Sequence, residues 1–105
     1  MNSDKKCWPP YLTGTTADAS NRACGHLRCV RCDSAVLSFD GWLWSPDVSY
    51  LFLRTNYPDV NKLRAKLQPR RTSRAYACQC RSVDTTQPVA LTSNDDNTWI
   101  CTGKN

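Results

Sequence analysis

At 105 residues, with 14 Lys+Arg against 9 Asp+Glu and a formal charge of +5, the chain has room for a single domain and one modest core. Its longest unbroken run of large apolar residues, Tyr50-Leu51-Phe52-Leu53, is far too short to cross a bilayer as a helix. Seven cysteines beside a single histidine are the unusual part of the composition, and they leave two chemistries, disulfides or metal.

Compartment and parity favour metal. Met1-Asn2-Ser3-Asp4-Lys5-Lys6 has no apolar stretch behind its lysines, so it does not read as a secretory signal, and a reducing cytoplasm is expected. An odd number of cysteines also sits badly with a closed set of disulfides. A small core gains from such a staple, because ordering the backbone costs about 1–2 kcal/mol per residue. Thiolates on zinc would lower the net positive charge, so where the charges lie says more than their sum.

Taken in chain order, residues 1–21 read as an extended lead-in packed on the domain, and residues 22–105 as the cysteine-rich domain itself. Pro9 and Pro10 forbid a helix, Trp8, Tyr11 and Leu12 offer apolar contacts, and residues 13–21 form a loop. Residues 34–40 read as a strand ended by Asp40-Gly41, with Trp42-Leu43-Trp44 as its hairpin partner or a packed turn. Ser45-Pro46-Asp47 reads as a helix start, with a capping hydroxyl, a first-turn proline and an acid on the positive dipole end. That helix would bury Val48, Leu51 and Phe52. A second short helix opens at Pro58-Asp59, places Val60, Leu63 and Leu67 at helical spacing, and closes at Pro69. Residues 73–83 alternate as a strand, with Tyr76, Cys78 and Cys80 on one face and Ala75, Ala77 and Gln79 on the other. Residues 93–97 make a turn before a last strand at 98–102. The expected class is α+β: a small zinc-stapled domain with an antiparallel sheet of about three to four strands and two short helices.

The densest motif is Cys24-Gly25-His26-Leu27-Arg28-Cys29-Val30-Arg31-Cys32, four soft ligands in the pattern C-x-H-x₂-C-x₂-C. Cys29 and Cys32 have the spacing that grips one ion from a tight turn, and Cys78 and Cys80 are their complement from a distant segment. With Cys7 and Cys101, the candidates number as many as two tetrahedral sites require, so one or two structural Zn²⁺ ions are expected. One economical arrangement joins Cys29 and Cys32 to two of the downstream thiols, leaving Cys7, Cys24 and His26 to help build a second site. The plainer alternative has some of these thiols filling core space and His26 lying on the surface.

A basic stretch follows. Arg54, Lys62, Arg64, Lys66, Arg70, Arg71 and Arg74 share their segment with one acid, Asp59. Lys62, Lys66 and Arg70 are placed on one helix face, with Arg71 and Arg74 in the adjoining loop. Such a patch attracts anionic phospholipid headgroups, an acidic protein surface or nucleic-acid phosphates, and it equally serves as a solvated face. Only Tyr57 and Tyr76 flank it, too few stacking platforms to favour nucleic acid, so a zinc-ribbon-like nucleic-acid module stands as the second reading. A thiol oxidoreductase using Cys29 and Cys32 stands third, since it wants the first cysteine at a helix N-terminus in a βαβ unit and a strand follows here. One histidine, no Gly-rich phosphate loop and no paired nucleophile and base give no catalytic residues, so a non-enzymatic protein is expected.

Several segments together carry a family resemblance: Arg22-Ala23-Cys24-Gly25-His26-Leu27-Arg28-Cys29 with Cys32-Asp33, Tyr50-Leu51-Phe52-Leu53-Arg54, Lys62-Leu63-Arg64-Ala65-Lys66-Leu67, Arg74-Ala75-Tyr76-Ala77-Cys78-Gln79-Cys80 and Trp99-Ile100-Cys101. In these, from about Lys6 to Cys101, the chain resembles the retinal-maintenance family of cilia- and flagella-associated proteins, a family linked to cone-rod dystrophy and ciliopathy. The resemblance implies a non-enzymatic cytoplasmic protein near the base of the cilium or flagellum, the basal body. It also implies a role in maintaining specialised ciliary membrane, with ciliary-base proteins and anionic phospholipids as partners. All seven cysteines and His26 fall on family motif positions, and Lys62, Arg64, Lys66, Arg70, Arg71 and Arg74 match its basic segment. Two departures stand out: Arg81 follows Cys80 where the family has Ser-Trp, and Thr102-Gly103-Lys104-Asn105 ends the chain where the family has Gly-Lys-His. Animal members carry a longer N-terminal region, whereas here the matching part begins almost at Met1.

Overall fold

The computed structural model describes residues 11–15, 26–91 and 99–102. In chain order the elements are β1 (Tyr11–Leu12), β2 (Leu27–Cys29), β3 (Ser34–Ala35), β4 (Leu37–Trp44), α1 (Tyr50–Asn56), α2 (Val60–Leu63) with a 3-10 turn Arg64–Lys66, β5 (Leu67–Ala77), β6 (Ser82–Thr85), β7 (Val89–Ala90) and β8 (Trp99–Cys101). All strand pairs are antiparallel, in the orders β4-β5-β6, β3-β2-β8 and β1-β7. The class is α+β, with two short helices, and the strands divide over two three-stranded sheets and a two-stranded ribbon. Cys7, Trp8, Cys24, the loop beyond residue 15 and the turn expected at 93–97 lie outside the described residues.

The long strand β5 is the wall between two cores. Ala75 and Ala77 turn to one side, against Phe39, Trp44, Leu53, Leu63 and Leu67. Tyr76 turns to the other, where Leu12, Leu27, Cys29, Cys78, Leu91, Trp99 and Cys101 gather. The alternation expected along this segment is therefore right in its faces as far as Ala77, and all three residues are buried because each face is covered. Each fully buried leucine, such as Leu53 or Leu63, stabilises the fold by about 1.5–3 kcal/mol.

Three local expectations are corrected. Asp40-Gly41 does not end a strand: β4 runs on to Trp44, and the pair forms a bulge between Asp40 and Trp42, with Gly41 at φ +85° absorbing the extra residue. Ser45 does not cap a helix. Its amide is tied to the Lys66 carbonyl at 2.7 Å, continuing the β4 edge, so the helix begins a turn later with the Ser49 hydroxyl accepting from the Phe52 amide at 3.1 Å. The delay rotates the helix, so Leu53 is buried and Leu51 is 71% exposed. The second helix is capped as expected, Asp59 accepting from the Lys62 amide at 3.2 Å, but it ends early. Leu67 opens β5, and Pro69 lies within that strand opposite Trp42, beside the bulge that accommodates its missing N–H.

The lead-in is anchored by Thr13. The Tyr76 hydroxyl accepts from its amide and donates to its carbonyl, each at 3.0 Å, and Arg74 Nη1 donates to its hydroxyl at 3.1 Å. Gly14 follows so close to the sheet that a Cβ there would lie 2.3 Å from the Thr72 carbonyl oxygen and 2.7 Å from Thr86 backbone.

Candidate metal centre

Two turns build the site, one from each three-stranded sheet. Cys29 ends β2, and the chain reverses through Val30, Arg31 and Cys32 to Asp33, which sits at φ +55°, a left-handed conformation that a short polar side chain tolerates. Arg28 holds that turn, its Nε donating to the Asp33 carboxylate at 3.0 Å and its Nη2 to the Asp33 carbonyl at 2.8 Å. The second turn joins β5 to β6, closed by the Cys78 amide donating to the Arg81 carbonyl at 3.0 Å. Here the sequence reading needs revision in one respect: Cys78 and Cys80 lie beyond the end of β5 at Ala77, and the turn, not strand alternation, brings their sulfurs to one side.

The four sulfurs of Cys29, Cys32, Cys78 and Cys80 lie within 4.8 Å of one another. Cys29 Sγ and Cys78 Sγ are each 3.7 Å from Cys80 Sγ. Four thiolates at about 2.3 Å from one ion would stand about 3.8 Å apart along the edges of the tetrahedron, so the spacing fits a single metal ion. Cys29 and Cys78 are buried, while Cys32 and Cys80 reach the surface at one side.

The surroundings suit sulfurs that carry negative charge. The Cys32 amide points at Cys29 Sγ and the Cys80 amide at Cys78 Sγ, each at 3.5 Å. The Trp99 indole N–H donates to Cys78 Sγ at 3.3 Å from a fully buried ring. The Ser34 hydroxyl lies 2.9 Å from Cys32 Sγ and accepts from the Gln79 amide at 3.4 Å, so it bridges the two turns. Arg81 stacks its guanidinium 5.2 Å above the Trp99 ring, with Nη1 buried and without a hydrogen-bond partner among the described residues.

These contacts split the thiols. Burial pushes Cys78 up, and pushes Cys80 far up with the neighbouring sulfurs adding to it. At Cys32 burial also acts upward, but the Ser34 hydroxyl, with help from Cys78 and the Gln79 amide, outweighs it and the thiol falls below its ordinary value. Cys78 and Cys80 are thus disposed to hold charge when a cation shares it, whereas Cys32 ionises more readily than a free thiol.

The remaining candidates sit elsewhere. His26 is exposed, and its carbonyl accepts from the Thr102 amide at 2.8 Å and hydroxyl at 2.9 Å. Cys101 is buried in the core on β8, outside the four-sulfur group. A second site involving Cys7 or Cys24 lies outside the described residues.

The basic residues do not share one helix face. Arg54 and Lys62 are exposed on α1 and α2, Arg64 is exposed and Lys66 half-buried on the 3-10 turn, and on β5 Arg70 and Arg71 are exposed while Arg74 is half-buried. Arg74 donates to Asp40 at 2.7 Å and Lys66 to Asp47 at 2.8 Å. Arg54, Lys62, Arg64, Arg70 and Arg71 have no ion-pair partner among the described residues. Sequence reasoning passed over Ser34, Trp99 and Arg81. Ser34, two residues after a ligand, carried a signal in its position, whereas the Trp99 contact depends on long-range pairing of β8 with β2.

A small α+β domain in which a C-x₂-C turn and a C-x-C turn from different sheets place four sulfurs around one point belongs to the class of thiolate-cluster domains able to hold a metal ion. More particularly, the chain belongs to the Retinal Maintenance family, whose model matches residues 1–104. It is similar to the cilia- and flagella-associated protein 418 of Homo sapiens and of Bos taurus, each 40% identical over 103 residues covering 92% of this chain and 50% of the relative. The Danio rerio protein of that name is 39% identical over 103 residues, covering 92% of this chain and 51% of the relative. The chain thus spans about half the length of these curated relatives. No solved structure matches it significantly. Among the described residues no helix is long and apolar enough to cross a membrane.

Proposed function

We propose that this is a non-enzymatic, cilium- and flagellum-associated domain whose fold is stapled by one zinc ion on Cys29, Cys32, Cys78 and Cys80. It works at the cilium or flagellum base, where its basic face meets an anionic partner, phospholipid or acidic protein. The observation that carries the staple is the meeting of four sulfurs, from turns in two different sheets, at the spacing of one tetrahedral ion. Thiolate-only sites are closed and structural, and zinc here would supply a cross-link and no chemistry. The ciliary setting is supported by the name its relatives carry, cilia- and flagella-associated protein 418. The anionic partner is supported by Arg54, Lys62, Arg70 and Arg71, exposed and without an ion-pair partner among the described residues.

Native mass spectrometry of reduced protein, with and without a strong chelator and alongside circular dichroism, tests the staple. The expected result is bound zinc whose removal unfolds the domain; a metal-free protein that stays folded refutes it. Charge reversal at Lys62, Arg70 and Arg71 tests the face. Unchanged binding to phosphatidylserine vesicles and unchanged localisation at the flagellar base would remove that surface from the account.

A further inference from the structure

The strand β4 is an edge. It pairs with β5 on one side, and on the other no backbone group of residues 37–40 has a hydrogen-bond partner among the described residues. A groove of about 230 Å³ lies along it, lined by Leu37, Ser38, Phe39, Asp40, Trp42 and, across from them, Val60 and Arg64. Successive residues of a strand point to opposite faces, so a groove lined by four in a row is facing the strand from its edge. An open edge with unpaired amides and carbonyls is a template for another strand.

We infer that this edge is a docking site for an extended acidic peptide segment of a partner protein, which adds a strand to residues 37–40 and sets a carboxylate on Arg64. The occupant's length follows from the bulge: Asp40-Gly41 breaks the ladder, and only the four residues from Leu37 to Asp40 offer a regular edge. The same break keeps the edge from pairing along its whole length with a second copy of the chain. The occupant's charge follows from the ion pairs. Asp40 is matched by Arg74 at 2.7 Å, while Arg64 lies over the Trp42 ring at 6.0 Å with no carboxylate of its own among the described residues. With Asp40 already neutralised by Arg74, Arg64 is the charge of the lining left to meet a carboxylate. Val60, 39% exposed at the start of α2, offers the apolar contact for alternate side chains of the occupant. This inference is independent of the metal and of the Lys62, Arg70 and Arg71 face.

The probe is an eight-residue peptide alternating valine and glutamate, as long as β4. Two controls go with it, one with lysine for glutamate and one with a central proline. The acidic peptide is expected to bind and to slow amide exchange within residues 37–40, while both controls fail. Arg64→Glu should weaken binding by about tenfold or more. Val60→Ser, which removes the apolar contact without adding charge, should weaken it independently, with exchange in β5 unchanged as evidence that both variants fold. Equal binding of the lysine peptide, no protection at residues 37–40, or full binding by Arg64→Glu would each overturn the inference. Protection of these amides by self-association, without peptide, would assign the edge to a second copy and overturn it equally.

Discussion

Replacing Trp99 by phenylalanine separates the metal from the core it sits in. The indole N–H donates to Cys78 Sγ at 3.3 Å, the ring is fully buried, the Tyr76 ring lies 6.4 Å away and the Arg81 guanidinium stacks on it at 5.2 Å. Phenylalanine keeps an aromatic face for Tyr76 and Arg81 but deletes the donor and leaves a small void. The void acts on the protein with or without metal, at a cost of about 1–2 kcal/mol. The lost donor acts chiefly on the charged sulfur. Hydrogen bonds to charged groups contribute about 1.5–3 kcal/mol, and loss of such an outer partner lowers metal affinity by about 10–100-fold. Competition against a chromophoric zinc chelator reads the affinity, and thermal unfolding with and without zinc reads the void. The expected pattern is a modest fall in metal-free stability and a fall of at least about tenfold in zinc affinity. A variant that binds zinc within about twofold of the parent would refute the reasoning that this N–H stabilises a thiolate.

Other outcomes follow from the same geometry. Because burial raises the Cys78 and Cys80 thiols, zinc must displace protons from them, so apparent zinc affinity should fall steeply as pH drops from 8 toward 5; a flat profile would exclude thiolate ligation. Gly14→Ala should destabilise by about 2 kcal/mol or more in denaturant titration, since the atoms its Cβ would meet are backbone and cannot swing away. Asp47 is held below its ordinary 3.8 by the hydrogen bond from Lys66. Its contribution is therefore present above that value and lost as pH falls through the lower native one. Asp47→Asn should be the less stable protein at neutral pH and become indistinguishable from the parent in strong acid, as a series of thermal melts would show.

The meeting of Cys29 and Cys32 with Cys78 and Cys80 was legible because it depends on spacing. C-x₂-C reads as a turn that holds two sulfurs side by side without tertiary information, whereas C-x-C reads equally as strand alternation, and only the end of β5 at Ala77 shows it to be a turn. The helical start at residue 45 was misread for a contrary reason. Ser45-Pro46-Asp47 has every local feature of a cap, but the Ser45 amide is already committed to Lys66 across the sheet, and a backbone hydrogen bond outranks a propensity. The same holds at Gly41, whose dipeptide with Asp40 suggests a hairpin while pairing of Trp42, Leu43 and Trp44 with β5 carries the strand straight through. For the basic residues, composition showed the excess but not its geometry: Arg74 is spent on Asp40 and Thr13, which only the fold reveals.

The two turns of the metal centre also set an order of events during synthesis. Cys29 and Cys80 lie 51 positions apart. At about 5–20 residues per second, the first pair leaves the ribosome roughly 3–10 s ahead of the second. In that interval β4, α1, α2 and β5 emerge between the pairs, and the core of Phe39, Trp44, Leu53, Leu63 and Leu67 can begin to form while the first pair holds no complete ligand set. On the proposed zinc staple, the nascent chain would therefore complete its ligand set as a late, closing event, with Cys29 and Cys32 open until then to the oxidants and chaperones around them.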